Sequence, residues 1–262
     1  MILLLVAIAA LFFLIERLWP AHSLPTSNGW WTRIALINFL QVGIVILAGM
    51  TWDRWFQSFS LLHLRDHLGP WSSATICYFI STFIYYWWHR MRHESQLFWR
   101  LCHQLHHSPR RIEVLASFYK HPFEITINSL ISATLTYLVL GITVEAAAIY
   151  TAFTALAEYF YHWNIRTPHW LGPIFQRPES HRVHHAYQHH SQNYADLPIW
   201  DLVFGSYHNP KEFPKRCGFD EKKEAAFGRM LAFQDVHKLP PTCFGCSKRT
   251  ACLSQKSQPS ES

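Results

Sequence analysis

Charge is scarce in this sequence. Asp, Glu, Lys and Arg make up 15% of its 262 residues, against roughly 25% in a soluble domain, while 50% are hydrophobic and 16% aromatic. That balance excludes an ordinary water-soluble domain and points to a membrane protein. The formal net charge is +6; a basic excess of this size gathers on cytoplasmic membrane flanks, so no nucleic-acid partner is expected. Paired cysteines are scarce too. Of six, only Cys243 and Cys246 form a close C-x2-C pair, and no second pair follows to complete a four-ligand zinc site. The stretch 211–262 reads as a charged tail, disordered beyond Ser254, following one domain over 1–210. The first residues lack the positive n-region of a signal peptide, so Met1–Ile15 reads as a membrane helix and not a cleaved leader. Against these shortages stands one surplus, 18 histidines.

Five apolar stretches organise the domain: Met1–Ile15, Ile34–Trp52, Ser72–Trp88, Ile125–Leu140 and Val144–Trp163. The second is uncharged over its whole length and reaches about 28 Å as a helix, the thickness of a bilayer core. The third ends in Tyr85, Tyr86, Trp87 and Trp88, an aromatic end suited to the headgroup level. Only Gly141–Thr143 separates the fourth from the fifth, so these two should form a tight antiparallel hairpin. The expected fold is an all-α integral membrane protein of four to five transmembrane helices with a helical cap. Arg90, Arg92, Arg100, Arg110, Arg111 and Lys120 lie between the third and fourth stretches, and Arg166, Arg177 and Arg182 follow the fifth. The loop Asp53–Trp71 has only Arg54 and Arg65. The positive-inside rule therefore places the first two regions, and the cap, in the cytosol.

The histidines fall into three groups on that cytosolic face. His89 and His93 are spaced H-x3-H; His103, His106 and His107 are H-x2-HH; His181, His184 and His185 repeat H-x2-HH. Imidazole ligates Fe, Zn, Cu and Ni, and the set is expected to form a binuclear metal site. His89 and His93 stack about 6 Å apart on one helix face. In each triplet the i, i+3 pair is expected to face one ion, while the adjacent residue, turned about 100° round the helix, reaches a second. A merely basic, pH-sensitive cluster would have no need of a duplicated spacing. His162, at the end of the fifth stretch, is expected as a ninth ligand. Glu158, one turn before it, is expected to orient a ligand or to pair with a basic residue. His121 is a ligand or orienting candidate, and His189 and His190 flank the third group, facing solvent or the ligands. His22, His63, His67, His169, His208 and His237 have no spacing partner and no expected role.

A metal transporter would carry polar ligands at mid-membrane in several helices, and a haem subunit would place axial histidines deep in opposed helices. Neither pattern is present. The chain resembles the fatty acid hydroxylase superfamily, which includes sterol desaturases, from Glu16 to about Tyr207. The resemblance is carried by the Glu16–Pro20 segment ERLWP, HRMRH at 89–93, HQLHH at 103–107, HPFE at 121–124, HWN at 162–164, HRVHH at 181–185 and NYADLPIWDLVFGSY at 193–207. It implies a non-haem centre of two iron ions, which zinc can replace because imidazole discriminates poorly. It also implies O2 as oxidant, a lipid substrate reached from the bilayer, and hydroxylation or desaturation of an unactivated C–H bond. No catalytic side chain beyond the metal centre is implied. Asn164, Asn193 and Asp201, with His121, Glu158 and His189, are candidates to hydrogen-bond to the ligands. No haem or flavin domain is recognisable, so electrons are expected from a separate cytochrome b5, ferredoxin or reductase.

Overall fold

Uncharged runs without water must satisfy their backbone internally, and helix is the local solution. The computed structural model describes residues 2–238, and among these it is helical with no strand; one isolated bridge joins Ala186 to Cys217. The five expected runs become α1 (Ile2–Leu18), α2 (Trp30–Met50), α3 (Pro70–Glu94), α4 (Pro122–Ala133) and α5 (Val144–His162). Proline opens α3 and α4 at a position where its missing N–H costs nothing. The Thr143 hydroxyl caps α5 by accepting from the Ala146 N–H at 3.1 Å. One helix among the described residues, Trp30–Gln57, is long and apolar enough to cross a membrane by length and composition, with mean hydropathy 2.1. The others are shorter, as with the 17 residues of α1, or carry charged ends, as α3 does with Arg90, Arg92 and Glu94.

Two apolar clusters set the frame. Ala74 and Cys77 of α3 pack with Leu135, Ile142, Ala146, Ile149 and Tyr150, which closes the α4–α5 hairpin against α3. A second cluster joins Trp30, Ile34 and Ile37 of α2 to Leu105, Tyr119, Phe219, Met230 and Val236. The segment 211–238 is thus packed onto the second histidine group, and Gln104 grips it by donating from Nε2 to the Gln234 carbonyl at 2.9 Å. Cys243 and Cys246 lie outside the described residues.

The hairpin is closed by a π turn, Thr134–Val139, and by Gly141 at φ +62°. The loop Leu61–Arg65 docks there, with the Leu61 and Leu64 N–H groups donating to the Leu138 and Leu140 carbonyls at 2.8 and 2.9 Å. A side chain at Gly141 would collide with Ser60 and would need a left-handed backbone. Gly141→Ala is expected to destabilise the protein by about 1–3 kcal/mol, measurable as a lowered unfolding temperature in detergent.

Candidate metal centre

Four elements carry the histidines to one place. α3 continues past its aromatic end and delivers His89 and His93. A π turn, Trp99–His103, leads into the short helix Gln104–His107. α5 ends at His162, and α6 (Pro178–His184) carries the third group. All nine expected ligands assemble into two sets whose ligand atoms lie within 4.8 Å of one another. His89, His93, His103, His107 and His184 form one; His106, His162, His181 and His185 form the other.

This sorting corrects the pairing expected within each triplet. The partners that share a set are the i, i+4 residues, His103 with His107 and His181 with His185, whose Nε2 atoms approach to 3.2 and 3.1 Å. Four residues return a helix to within roughly 40° of its starting direction, closer than three do. His106 and His184, at i+3, cross to the opposite set, so the second and third groups interlock. The sets share a wall where the His107 and His185 rings stack at 4.2 Å.

Backbone carbonyls fix the tautomers. His89 Nδ1 meets the Tyr194 carbonyl at 2.7 Å, His184 Nδ1 that of Gln192 at 2.8 Å, His162 Nδ1 that of Glu158 at 3.0 Å and His106 Nδ1 that of Tyr119 at 3.3 Å. A carbonyl only accepts, so these Nδ1 atoms carry the proton and each Nε2 keeps its lone pair. Nε2 of His89 and His184, Nδ1 of His185 and both nitrogens of His93 are buried without a partner. Burial drives His103, His106, His107, His181 and His185 well below the ordinary imidazole range and His184 to about 3. Protonation therefore cannot relieve the inward-facing lone pairs. Unsatisfied buried acceptors are costly, and a cation in each set would satisfy these. The donor chemistry fits iron or zinc.

The remaining candidates divide by contact. Glu158 supports His162 through its backbone carbonyl, while its carboxylate pairs with Lys120. Asp201 accepts from the Tyr194 and Ala195 N–H groups at 2.8 and 2.9 Å, holding the carbonyl on which His89 rests. Asn193 ties α6 to the following loop, donating to the Ser180 and His208 carbonyls at 2.9 Å. Asn164 accepts from Arg182 at 2.7 Å and donates from Nδ2 to the His22 carbonyl at 2.9 Å. His121 caps α4 by accepting from the Phe123 N–H at 3.0 Å, away from the nine. His189 is exposed and engages Gln192 and Ser191; its neighbour His190 instead reaches His107, Nδ1 to Nδ1 at 3.3 Å.

Two groups escaped the sequence analysis. Glu124 is fully buried, pairs with Arg92, and lies 3.3 Å from His103 Nδ1. It stands in the quoted HPFE segment, but an acid in the first turn of a helix is ordinary, and only burial distinguishes it. Tyr161 donates to Asp196 at 3.1 Å while its ring packs against His181. Burial raises the Asp196 carboxyl to about 6.

A cavity of about 300 Å³ begins at His89, His103, His106 and His181 and passes Glu158, Lys120 and Asp196. Its lining also includes residues of α4 and α5 and, on and beyond α2, Gln41, Val45 and Asp53. All-helical scaffold, imidazole sets with fixed tautomers and an adjoining cavity define a histidine-box metalloprotein. Residues 74–206, just over half of the chain, match the family model for fatty acid hydroxylase, and the chain belongs to that family. It is 32% identical to human alkylglycerol monooxygenase, over 55% of this chain and 33% of that protein. With the ornithine lipid hydroxylase of Rhizobium tropici it shares 30% identity over 78% of this chain and 65% of the relative. With the sphingolipid C4-hydroxylase of Schizosaccharomyces pombe the figures are 28%, 56% and 52%. The chain thus spans about one third to two thirds of the length of these curated relatives. No solved structure matches it significantly.

Proposed function

We propose that this chain is a multi-pass membrane oxidoreductase that uses O2 and two iron ions to hydroxylate a C–H bond of a polar-headed lipid. The observation that carries the reading is the pair of touching imidazole sets, neutral by burial and aimed inward. Two iron ions held there supply O2 activation at an unactivated C–H bond. The protein holds the nine ligands, excludes water, and lays the substrate chain in the cavity.

The cavity walls suit a hydrocarbon chain. Thr136, Thr151 and Thr154 line it, yet their hydroxyls already donate to carbonyls of their own helices, those of Ser132, Ala147 and Thr151. Tyr85 likewise donates to the Asn128 carbonyl. Polar side chains stand near the imidazole sets and also at Gln41 and Asp53, and Glu158 Oε2 and Gln41 Oε1 are both buried without a partner. The chain's likeness to an alkylglycerol monooxygenase, a sphingolipid C4-hydroxylase and an ornithine lipid hydroxylase favours hydroxylation over desaturation.

Membrane residence is supported by large apolar side chains left exposed on α1, α2 and α3, among them Leu3, Leu11, Phe39, Val42, Ile46 and Phe79. With the basic flanks, this favours four to five spans and a cytosolic metal centre. The electron donor is then a separate cytosolic carrier or reductase.

The test is lipid analysis under 18O2 of cells with and without the gene, beside the His184→Ala variant. One lipid class should gain an oxygen atom carrying the heavy isotope only with the intact protein. Lipids that gain no oxygen while the metals are fully bound would sink the reading.

A further inference from the structure

We propose that electrons reach the centre from the side opposite the cavity, through Trp99 and His190, at a surface port around His237 that docks a small acidic one-electron carrier. The inference rests on the di-iron reading above. The centre has two different sides. His89, His103, His106 and His181 line the cavity, whereas Trp99, His190, Phe219 and His237 do not. These four form a relay of packed rings outside the cavity lining. Trp99 packs against His107 at 5.4 Å and against His93 at 5.5 Å, ring centre to ring centre, and against His190 at 5.1 Å. Phe219 continues it, 5.7 Å from His190 and 4.4 Å from His237. His237 is exposed to solvent. An unbroken run of rings therefore joins one imidazole set to the surface, without passing through the space meant for substrate.

The placement of His190 is built into the backbone. Gln188, His190, Gln192 and Asn193 all have positive φ, at 60°, 44°, 66° and 50°, a conformation that residues other than glycine adopt at a cost. The loop is held by Asn193, and its Gln192 carbonyl accepts from His184. One strained loop thus orients a ligand and delivers His190 to the Nδ1 of another. Because His107 turns Nε2 towards His103, its Nδ1–H donates to His190, whose own proton then sits on Nε2.

Charge at the port selects the partner. Lys223, Asp220 and Asp235 act electrostatically on His237. Asp220 is held by Arg216 and Asp235 by Lys238, and Arg100 is exposed beside Trp99. Basic groups outnumber acidic ones, and a complementary acidic surface is steered towards them. Per turnover two carriers are each oxidised by one electron, and two protons come from solvent. With the two electrons of the C–H bond, these four electrons reduce both atoms of O2: one enters the alcohol and the other leaves as water.

The experiment uses the full chain, iron-loaded in lipid nanodiscs, mixed anaerobically with the reduced soluble domain of a cytochrome b5. Carrier oxidation is followed optically, iron content is measured in parallel, and dithionite serves as a small reductant that needs no port. The double variant Lys223→Glu, Lys238→Glu should slow carrier oxidation at low salt about tenfold and flatten its salt dependence. Iron content and dithionite reduction should not change. Trp99→Leu should slow carrier oxidation with its salt dependence intact. An unaltered carrier rate in the charge-reversed protein overturns the port even if Trp99→Leu fails to fold. Wild-type protein that holds two iron ions but resists dithionite overturns the redox reading itself, and the port with it.

Discussion

His106→Ala and His107→Ala should each bind one iron ion where the wild type binds two, and each should lose at least about 100-fold in hydroxylation. These neighbours in sequence belong to opposite sets, so the two variants empty different sites. The remaining set keeps its own imidazoles and should stay occupied. His67→Ala, exposed in the loop at the far end of α3, should alter neither metal content nor activity. Metal analysis of the purified proteins beside product formation decides the matter. Wild-type protein that saturates at one ion would refute the binuclear assignment, and equal loss in all three variants would show that the histidine groups are not special.

Spacing made the clustering histidines legible. H-x3-H and the repeated H-x2-HH need no tertiary information, because their meaning lies in helical geometry. The division of each triplet between the two sets was not legible. It depends on a difference of roughly 20° between three and four residues round a helix, and on which other group each ring meets across the centre. Glu124 was hidden, and the contact of His190 with His107 left open, for another reason. Both act through positions distant in sequence, Glu124 on His103 and His190 on His107, and neither repeats a pattern. Phe219 and Val236 sit beside charged residues, which mask their burial in the core. The apolar runs announced the helices, but the exposed or buried face of each depends on its neighbours.

Glu124→Leu should be the most damaging single substitution that spares all nine ligands. Glu124 is fully buried against Arg92, and burial lowers the Arg92 guanidinium to about 10. Removing one partner leaves the other charge uncompensated, which costs about 3–5 kcal/mol in comparable sites. The same carboxylate faces His103 Nδ1 at 3.3 Å, so its loss also frees the ring and weakens metal affinity by roughly 10–100-fold. A second substitution separates the two effects. Arg92→Met combined with Glu124→Leu removes both charges and fills the space with carbon, an exchange that is often neutral for folding. The double variant should recover most of the thermal stability lost by Glu124→Leu while keeping the weakened metal binding. Unfolding temperature and iron titration, measured on the same samples, read these separately. Recovery of both properties together would mean that Glu124 serves only to neutralise Arg92 and that His103 is oriented by its own helix.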